Sequence, residues 1–290
     1  MVEPDPSSYP SWRLHHYRNT GRQANGTDFL AGASTLEIQS IQLALGRAIL
    51  TPQDNVALQN LTGCRHFGEF KYRVLSTHPL IDHDASMLLV NTLSTRTDDL
   101  KLTFTVYLRV RGDEEGAGLV QRTLNGNTGI VTHHLLTVND KYQGKGLGTH
   151  IAQSQEEAWA AAGYSVIHLT AAKSKGWLHW AKEGFDFKPG TPYEKTARDR
   201  TLDHLDRMHL NPELGPPIPA DLRADLDELL RRPLPSWRIL KLGTDLHAIG
   251  QIMPRSWEGH KPLDDGYPGH QQARVVRQRV FERVPISSDD

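Results

Sequence analysis

The sequence predicts an α/β fold, and three observations predict it. From about Phe67 to Val138 apolar and polar residues alternate, the period of half-buried strands. From there to about Leu210, strand-like and helix-like runs succeed one another, an order that makes an α/β arrangement. After residue 211 the texture changes to a proline-rich linker and a polar extension. The 290 residues therefore divide into a domain over 1–211 with an N-terminal arm and a helical and hairpin extension over 212–290.

In order along the chain, Trp12–Tyr17 reads as a short strand. Ser34 precedes Glu37 at capping-box spacing, and Ile38, Ile41, Leu45, Ala48 and Ile49 recur at helical spacing up to Pro52. A shorter helix follows through Val56, Leu58 and Leu61, stopped by Gly63. Candidate strands are Phe70–Leu75, Met87–Leu93, Leu102–Val110 and Thr128–Val138, with polar turns over Arg111–Gly118 and Asn125–Asn127. A long helix runs from about Gly148 to Ala162, and Val166–Leu169 is the next strand. Ser174–Glu183 reads as a helix ending at Gly184. Phe185 and Phe187 begin another strand, and Leu202–Leu210 a last one. Beyond the linker come a helix over Asp221–Arg232, a hairpin over Trp237–Leu242 and Leu246–Ile252, and a helix over Gln271–Val284. The last helix carries Arg274, Arg277 and Arg283 on its polar face.

Composition excludes several function classes. No run approaches the 18 apolar residues of a membrane span. The first ten residues have no basic-then-apolar leader, so a cytoplasmic protein is expected. The single cysteine, Cys64, can build neither an internal disulfide nor a thiolate metal site. The 15 His show no clean ligand spacing, and no metal is expected. A formal charge of −1 speaks against a nucleic-acid binder held by bulk charge; no membrane partner is expected.

The informative run is Leu136-Thr137-Val138-Asn139-Asp140-Lys141-Tyr142-Gln143-Gly144-Lys145-Gly146-Leu147-Gly148. An apolar strand ends at Val138, a glycine-rich turn follows, and a long helix begins. Such a turn builds an anion site. Free backbone N–H groups at the helix start point into the loop, and the helix dipole adds partial positive charge. Glycines allow close approach of a phosphate and left-handed backbone; Lys145 adds a formal charge. The glycine spacing fits neither the dinucleotide fingerprint nor a Walker loop.

Gln143-Gly144-Lys145-Gly146-Leu147-Gly148 behind the strand resembles the acyl-CoA signature of the GNAT superfamily of N-acyltransferases. Trp180-Ala181-Lys182-Glu183-Gly184-Phe185 resembles the family's Tyr-x-Lys-x-Gly-Phe segment, and Arg207–Leu210 its final strand. The resemblance implies a central, mostly antiparallel mixed sheet flanked by helices, here with a C-terminal extension. It implies acetyl-CoA or another acyl-CoA as co-substrate. The amides of Gln143, Gly144, Lys145, Gly146, Leu147 and Gly148 would hold its pyrophosphate, and the backbone of Leu136, Thr137 and Val138 its pantetheine arm. Lys173 aligns with a pantetheine-contacting Asn of the family.

The acceptor amine must lose a proton to attack. His134 is the candidate base. By strand alternation Thr132, His134 and Leu136 would share a face, with His133 on the other; the alternative is a His that merely packs beside the sheet. Trp180, the second catalytic candidate, stands where the family carries its acidic Tyr; an indole N–H cannot protonate a thiolate but could hydrogen-bond the leaving sulfur. Tyr142, Tyr164, His179 and Tyr193 are other groups that could assist. The expected activity is acyl transfer, most simply acetyl transfer, to an amine of a small molecule or peptide by direct attack. Two alternatives stay open: a CoA-binding module whose catalysis has lapsed, and an acyltransferase acting on nucleic acid or aminoacyl-tRNA. The extension suits a bulky acceptor or a dimerisation arm.

Overall fold

The computed structural model describes residues 29–75, 78–171, 176–192, 199 and 256–283. Among these, residues up to Ile167 form one compact unit and His168–Arg283 a second. The expected strands at Trp12 and Leu202, the helix at Asp221, the following hairpin and the 211/212 boundary lie outside the described residues.

The first unit opens with α1, Thr35–Leu45, whose first turn is closed by a reciprocal capping box between Ser34 and Glu37. Such a cap stabilises by about 1 kcal/mol. Glu37 is buried, and its carboxylate also accepts from the Leu88 amide at 2.9 Å and pairs with Lys71 at 3.2 Å. Burial pushes its pKa up, but the hydrogen bonds from Leu88 and Ser34 outweigh that and hold it below the usual carboxylate range. One side chain thus caps a helix and ties it to a strand. The helix ends at Gly46 rather than running on to Ile49, which is exposed. Helix α2, Pro52–Thr62, has a second capping box between Thr51 and Asp54.

The segment expected as a strand at Phe70–Leu75 is instead helix α3, Phe67–Leu75. Phe67, Phe70, Val74 and Leu75 are its buried residues, an i, i+3, i+7, i+8 stripe. The apparent alternation through Tyr72 misleads, because that ring is 56% exposed. Strands β1 (Met87–Arg96), β2 (Asp99–Val110), β3 (Asp113–Asn125) and β4 (Ile130–Val138) then form an antiparallel meander. Strand β3 occupies much of what reads as a turn over Arg111–Gly118. The turn shrinks to the start of that span, and the polar run Gln121-Arg122-Thr123 hides the strand's alternation.

Helix α4, Leu147–Ala161, follows β4 and packs on α3. The core gathers where Phe70 of α3, Phe104 of β2 and Trp159 of α4 meet, with ring centroids 5.3 Å apart for Phe70–Phe104 and 6.3 Å for Phe104–Trp159. Cys64 is buried beside this layer, and burial pushes its thiol up to about 12. It is a structural residue, not a nucleophile.

The second unit contains β5 (Val166–Ala171, from His168), α5 (Gly176–Lys182), β6 (Asp186–Phe187), β7 (Trp257–Pro262) and α6 (Pro268–Arg283). Its strand order is β5-β7-β6, and β6 pairs antiparallel with β7 through Asp186–His260 and Phe187–Gly259. Two elements of the C-terminal extension are therefore packed parts of this unit. The tie is Glu183. Its buried carboxylate takes Arg277 of α6 at 2.9 Å, and its carbonyl accepts from Lys261 Nζ at 2.6 Å. Arg277, expected on an open basic face, is committed to that pair. Gly184 and Gly269 touch backbone to backbone: a Cβ on Gly184 would lie 2.0 Å from the Gly269 carbonyl oxygen, and one on Gly269 would lie 2.2 Å from that of Gly184.

The protein is thus a mixed α/β structure with mostly antiparallel strands flanked by helices, the class the sequence predicts. Among the described residues no helix is long and apolar enough to cross a membrane.

Candidate functional site

The glycine-rich run forms the turn expected of it, entirely within the first unit. After β4 the chain makes a single 3₁₀ turn, Asp140–Tyr142. Gly144 and Gly146 then take φ of 77° and 79°, where an L side chain is strained. The space over Gly144 is open: a Cβ placed there would meet nothing within 4 Å. Gly146 is the N-cap of α4 and carries no side-chain cap. The first intrahelical bond runs from the His150 amide to the Gly146 carbonyl at 3.0 Å. The amides of Leu147, Gly148 and Thr149 precede it and have no intrahelical acceptor. The dipole of this helix of 15 residues ends there with partial positive charge.

Side chains around the loop fix its shape. Gln143 is exposed, and its amide nitrogen reaches back to the Val138 carbonyl at 3.0 Å and to Asp140 at 2.6 Å. Its side chain therefore closes the turn onto the strand end. Tyr142 is buried and donates its hydroxyl to Asp113 at the start of β3. Lys141 pairs with Asp113 at 2.5 Å and with Glu115 at 2.7 Å. Hydrogen bonds from Lys141 and Tyr142 hold the Asp113 carboxyl down at about 2. Lys145 is exposed, its ammonium 5.3 Å from the Tyr142 ring centroid. Tyr142 is thus a strut, committed to Asp113, and Tyr164 donates to the Leu61 carbonyl at 2.7 Å.

Behind the loop sits a histidine pair. His78 is buried, its Nδ1 accepts from the Leu80 amide at 3.2 Å, and its Nε2 lies 3.3 Å from the Lys145 carbonyl. An accepting Nδ1 leaves the proton of a neutral ring on Nε2, so His78 braces the loop from beneath. His150, on the first turn of α4, meets it edge-on at 4.7 Å between centroids. Burial, with a smaller contribution from His78, depresses His150 to about 4. Burial also lowers His78, against the hydrogen bond to Lys145.

At the middle of β4 the geometry departs from simple alternation. Gln121 faces Leu135, but the next residue, Arg122, faces His133, so His134 is left over as a bulge. Cross-strand partners share a face. Leu136, opposite Val120, therefore shares the buried side with Val131 and His133, while Thr132, Leu135 and Thr137 lie on the side of Thr123. His134 joins this second side: its Nε2 is 2.8 Å from Thr123 Oγ1, which is 2.8 Å from Thr103 Oγ1. The expected common face of Thr132, His134 and Leu136 is thus broken at Leu136, because the bulge shifts the period by one. Burial first, then the charges of Arg122 and Lys101, lowers the His134 pKa. The ring is neutral at pH 7 and open to solvent on one side.

Of the residues singled out in the sequence, the first unit brings together His134, Leu136, Thr137, Val138 and the loop Gln143, Gly144, Lys145, Gly146, Leu147 and Gly148 along one strand–turn–helix. Lys173 and Tyr193 lie outside the described residues. Trp180, in α5 of the second unit, is buried and packs edge-on against Phe185 at 5.1 Å and His179 at 4.8 Å. Thr123, Arg122 and Asp113 are the neighbours that sequence reading missed. Each acts across strands, and no local pattern marks them. Among the described residues no cluster of three or more His, Cys, Asp or Glu could hold a metal ion.

Comparison with protein-family models and with curated proteins gives no match. Among solved structures the chain is similar to nourseothricin acetyltransferase, at 20% identity with a TM-score of 0.26. The match covers 32% of this chain and spans 58% of that one. A likeness of that extent carries no assignment of substrate or reaction.

Proposed function

We propose that this protein is an N-acyltransferase that takes its acyl group from an acyl-CoA, most simply acetyl-CoA, and passes it to an amine of a small molecule or peptide. The observation that carries the reading is the uncapped start of α4 behind two left-handed glycines with open space over Gly144. Backbone donors without intrahelical acceptors and a helix dipole meet at the start of α4, and Lys145 in the same loop adds a formal charge. That is chemistry for a pyrophosphate group.

In this reading each residue has one task. The amides of Gly144, Gly146, Leu147 and Gly148 hold the pyrophosphate, while those of Gln143 and Lys145 donate to the Asp140 and Tyr142 carbonyls and, with the Gln143 side chain and the Tyr142–Asp113 strut, keep the loop in shape. The backbone of Leu136–Val138 lines the acyl arm, and an N–H there polarises the thioester carbonyl. His134, neutral at pH 7, accepts the proton that the amine gives up as it attacks. The C–S bond breaks as the amide forms, and the thiolate leaves without a protein acid. Trp180, a packed indole, does not supply one. A low-charge acceptor fits the balance of the chain better than nucleic acid does, and the cytoplasm is the compartment proposed.

Calorimetric titration with acetyl-CoA, free CoA and a longer acyl-CoA tests the reading. Micromolar binding of acetyl-CoA, lost in Gly146→Glu, supports it. Preference for the longer chain moves the acyl class. Binding without turnover against an amine panel favours a lapsed CoA-binding module, and no binding of any of the three overturns both.

A further inference from the structure

Arg122 is a guanidinium set in the core of the first unit. It is fully buried, and no carboxylate faces it among the described residues. Its Nε donates to Gln155 Oε1 of α4 at 2.9 Å, and Gln155 in turn donates to the Val74 carbonyl at 3.2 Å. Its Nη1 makes two bonds, to the Gln121 carbonyl at 2.9 Å and to the Leu135 carbonyl at 2.6 Å. Nη2 has no hydrogen-bond partner among the described residues. A buried guanidinium without an anion is expensive, and an aliphatic residue would fill the same core more cheaply.

The two carbonyls identify what it does. Gln121 and Leu135 are the last matched positions before the register slips, and His134 is the residue the slip leaves over. One guanidinium nitrogen therefore bridges β3 and β4 at the bulge. A bulge disrupts the ladder locally and leaves main-chain groups in need of other partners. Here Arg122 supplies the donor, from the buried side of the sheet, while His134 emerges on the opposite side against Thr123.

We propose that Arg122 is a positioning residue that pins the β4 bulge through the Gln121 and Leu135 carbonyls and so aims the His134 imidazole. The inference rests on the reading of His134 as the proton acceptor. Its geometric part is independent of any substrate. Lys cannot reproduce the fork: it offers one rotatable ammonium where Arg offers rigidly spaced donors.

The first test is the imidazole of His134, followed by NMR in protein without ligand. Its environment is set by Arg122 of β3, Lys101 of β2 and the Thr123 hydroxyl. In Arg122→Lys the His134 ring signal should move and its coupling to Thr123 should be lost, while the Trp159 core signals stay in place. In Arg122→Gln, which also removes the charge, the His134 titration midpoint should rise. The second test is kinetic. Arg122→Lys should lower kcat by about 100-fold, as a displaced base does, with KM for the acyl-CoA changed little. Should either variant fail to fold, Gln155→Leu, which frees Nε but keeps the charge, must shift the His134 signal in the same direction. An unmoved His134 signal in folded Arg122→Lys overturns the proposal. A moved signal in a protein that binds no acyl-CoA leaves the positioning role standing and removes the catalytic reading instead.

Discussion

The C-terminal end of β4 and the bulge at its middle are shaped by different kinds of residue. The C-terminal end runs into a loop whose form comes from what its own residues permit: Gly144 and Gly146 take left-handed backbone, and Gln143 folds back onto Val138. The middle is shaped by what other strands impose. Arg122 bridges two carbonyls, and Thr123 receives the ring that the bulge turns out. A binding loop can thus be written in a handful of consecutive residues, whereas the aim of a side chain is written across three strands.

The comparison breaks most visibly at the loop. Gly146→Glu puts a side chain where φ is 79° and a carboxylate where an anion should bind. Loss of detectable acyl-CoA binding is expected by calorimetry, with His134 ring signals unchanged. Retained binding would show that the loop is not the anion site. At the bulge, His134→Ala should lower kcat by about 100-fold at pH 7 with the acyl-CoA dissociation constant unchanged. An equal loss of binding would mean that the two regions are not separable. With the wild-type protein, the rising limb of kcat/KM that belongs to His134 should fall below the ordinary histidine value of 6.5, because burial and Arg122 depress it. A pH–rate profile with a neutral-amine acceptor reads this directly.

Smaller effects refine the picture. His78 and His150 both have folded-state pKa values below the unfolded value of 6.5, His150 at about 4. For a depressed histidine the folded state resists protonation. Its stabilising contribution is complete above 6.5 and is lost as pH falls towards the folded value. The Tm should therefore drop between pH 7 and pH 4.5, and His150→Phe should drop less over the same range. Asp113→Asn leaves Lys141 paired with Glu115 alone and weakens the bond from Tyr142. A few-fold weaker acyl-CoA binding is expected with kcat unchanged, since the pair is exposed and screened.

The glycines of the loop could be read from sequence because the strain of a left-handed residue is a local property. The capping boxes at Ser34 and Thr51 and the long helix over Leu147–Ala161 are local in the same sense. Three features were not legible. Strand β3 was hidden because Arg122 and Thr123 are polar residues on a buried strand, and their partners are Gln155 and Thr103, far along the chain. Helix α3 passed for a strand because Phe70, Tyr72 and Val74 fall two apart and imitate alternation, although Tyr72 is exposed. The bulge was invisible because its partner strand was not recognised; without β3 there is no register to slip. Seeing His134 as the candidate did not require the bulge, but placing Leu136 correctly did.

The backbone contact between Gly184 and Gly269 has a consequence for how this sequence can vary. Each glycine is fitted to the backbone carbonyl of the other. Changing one to alanine drives a methyl group into a carbonyl, and changing both doubles the collision. The pair therefore has no stepwise route to any other composition. The turn before Phe185 and the first residues of the last helix form one inherited unit, and a chain that exchanged either segment by recombination would have to exchange both.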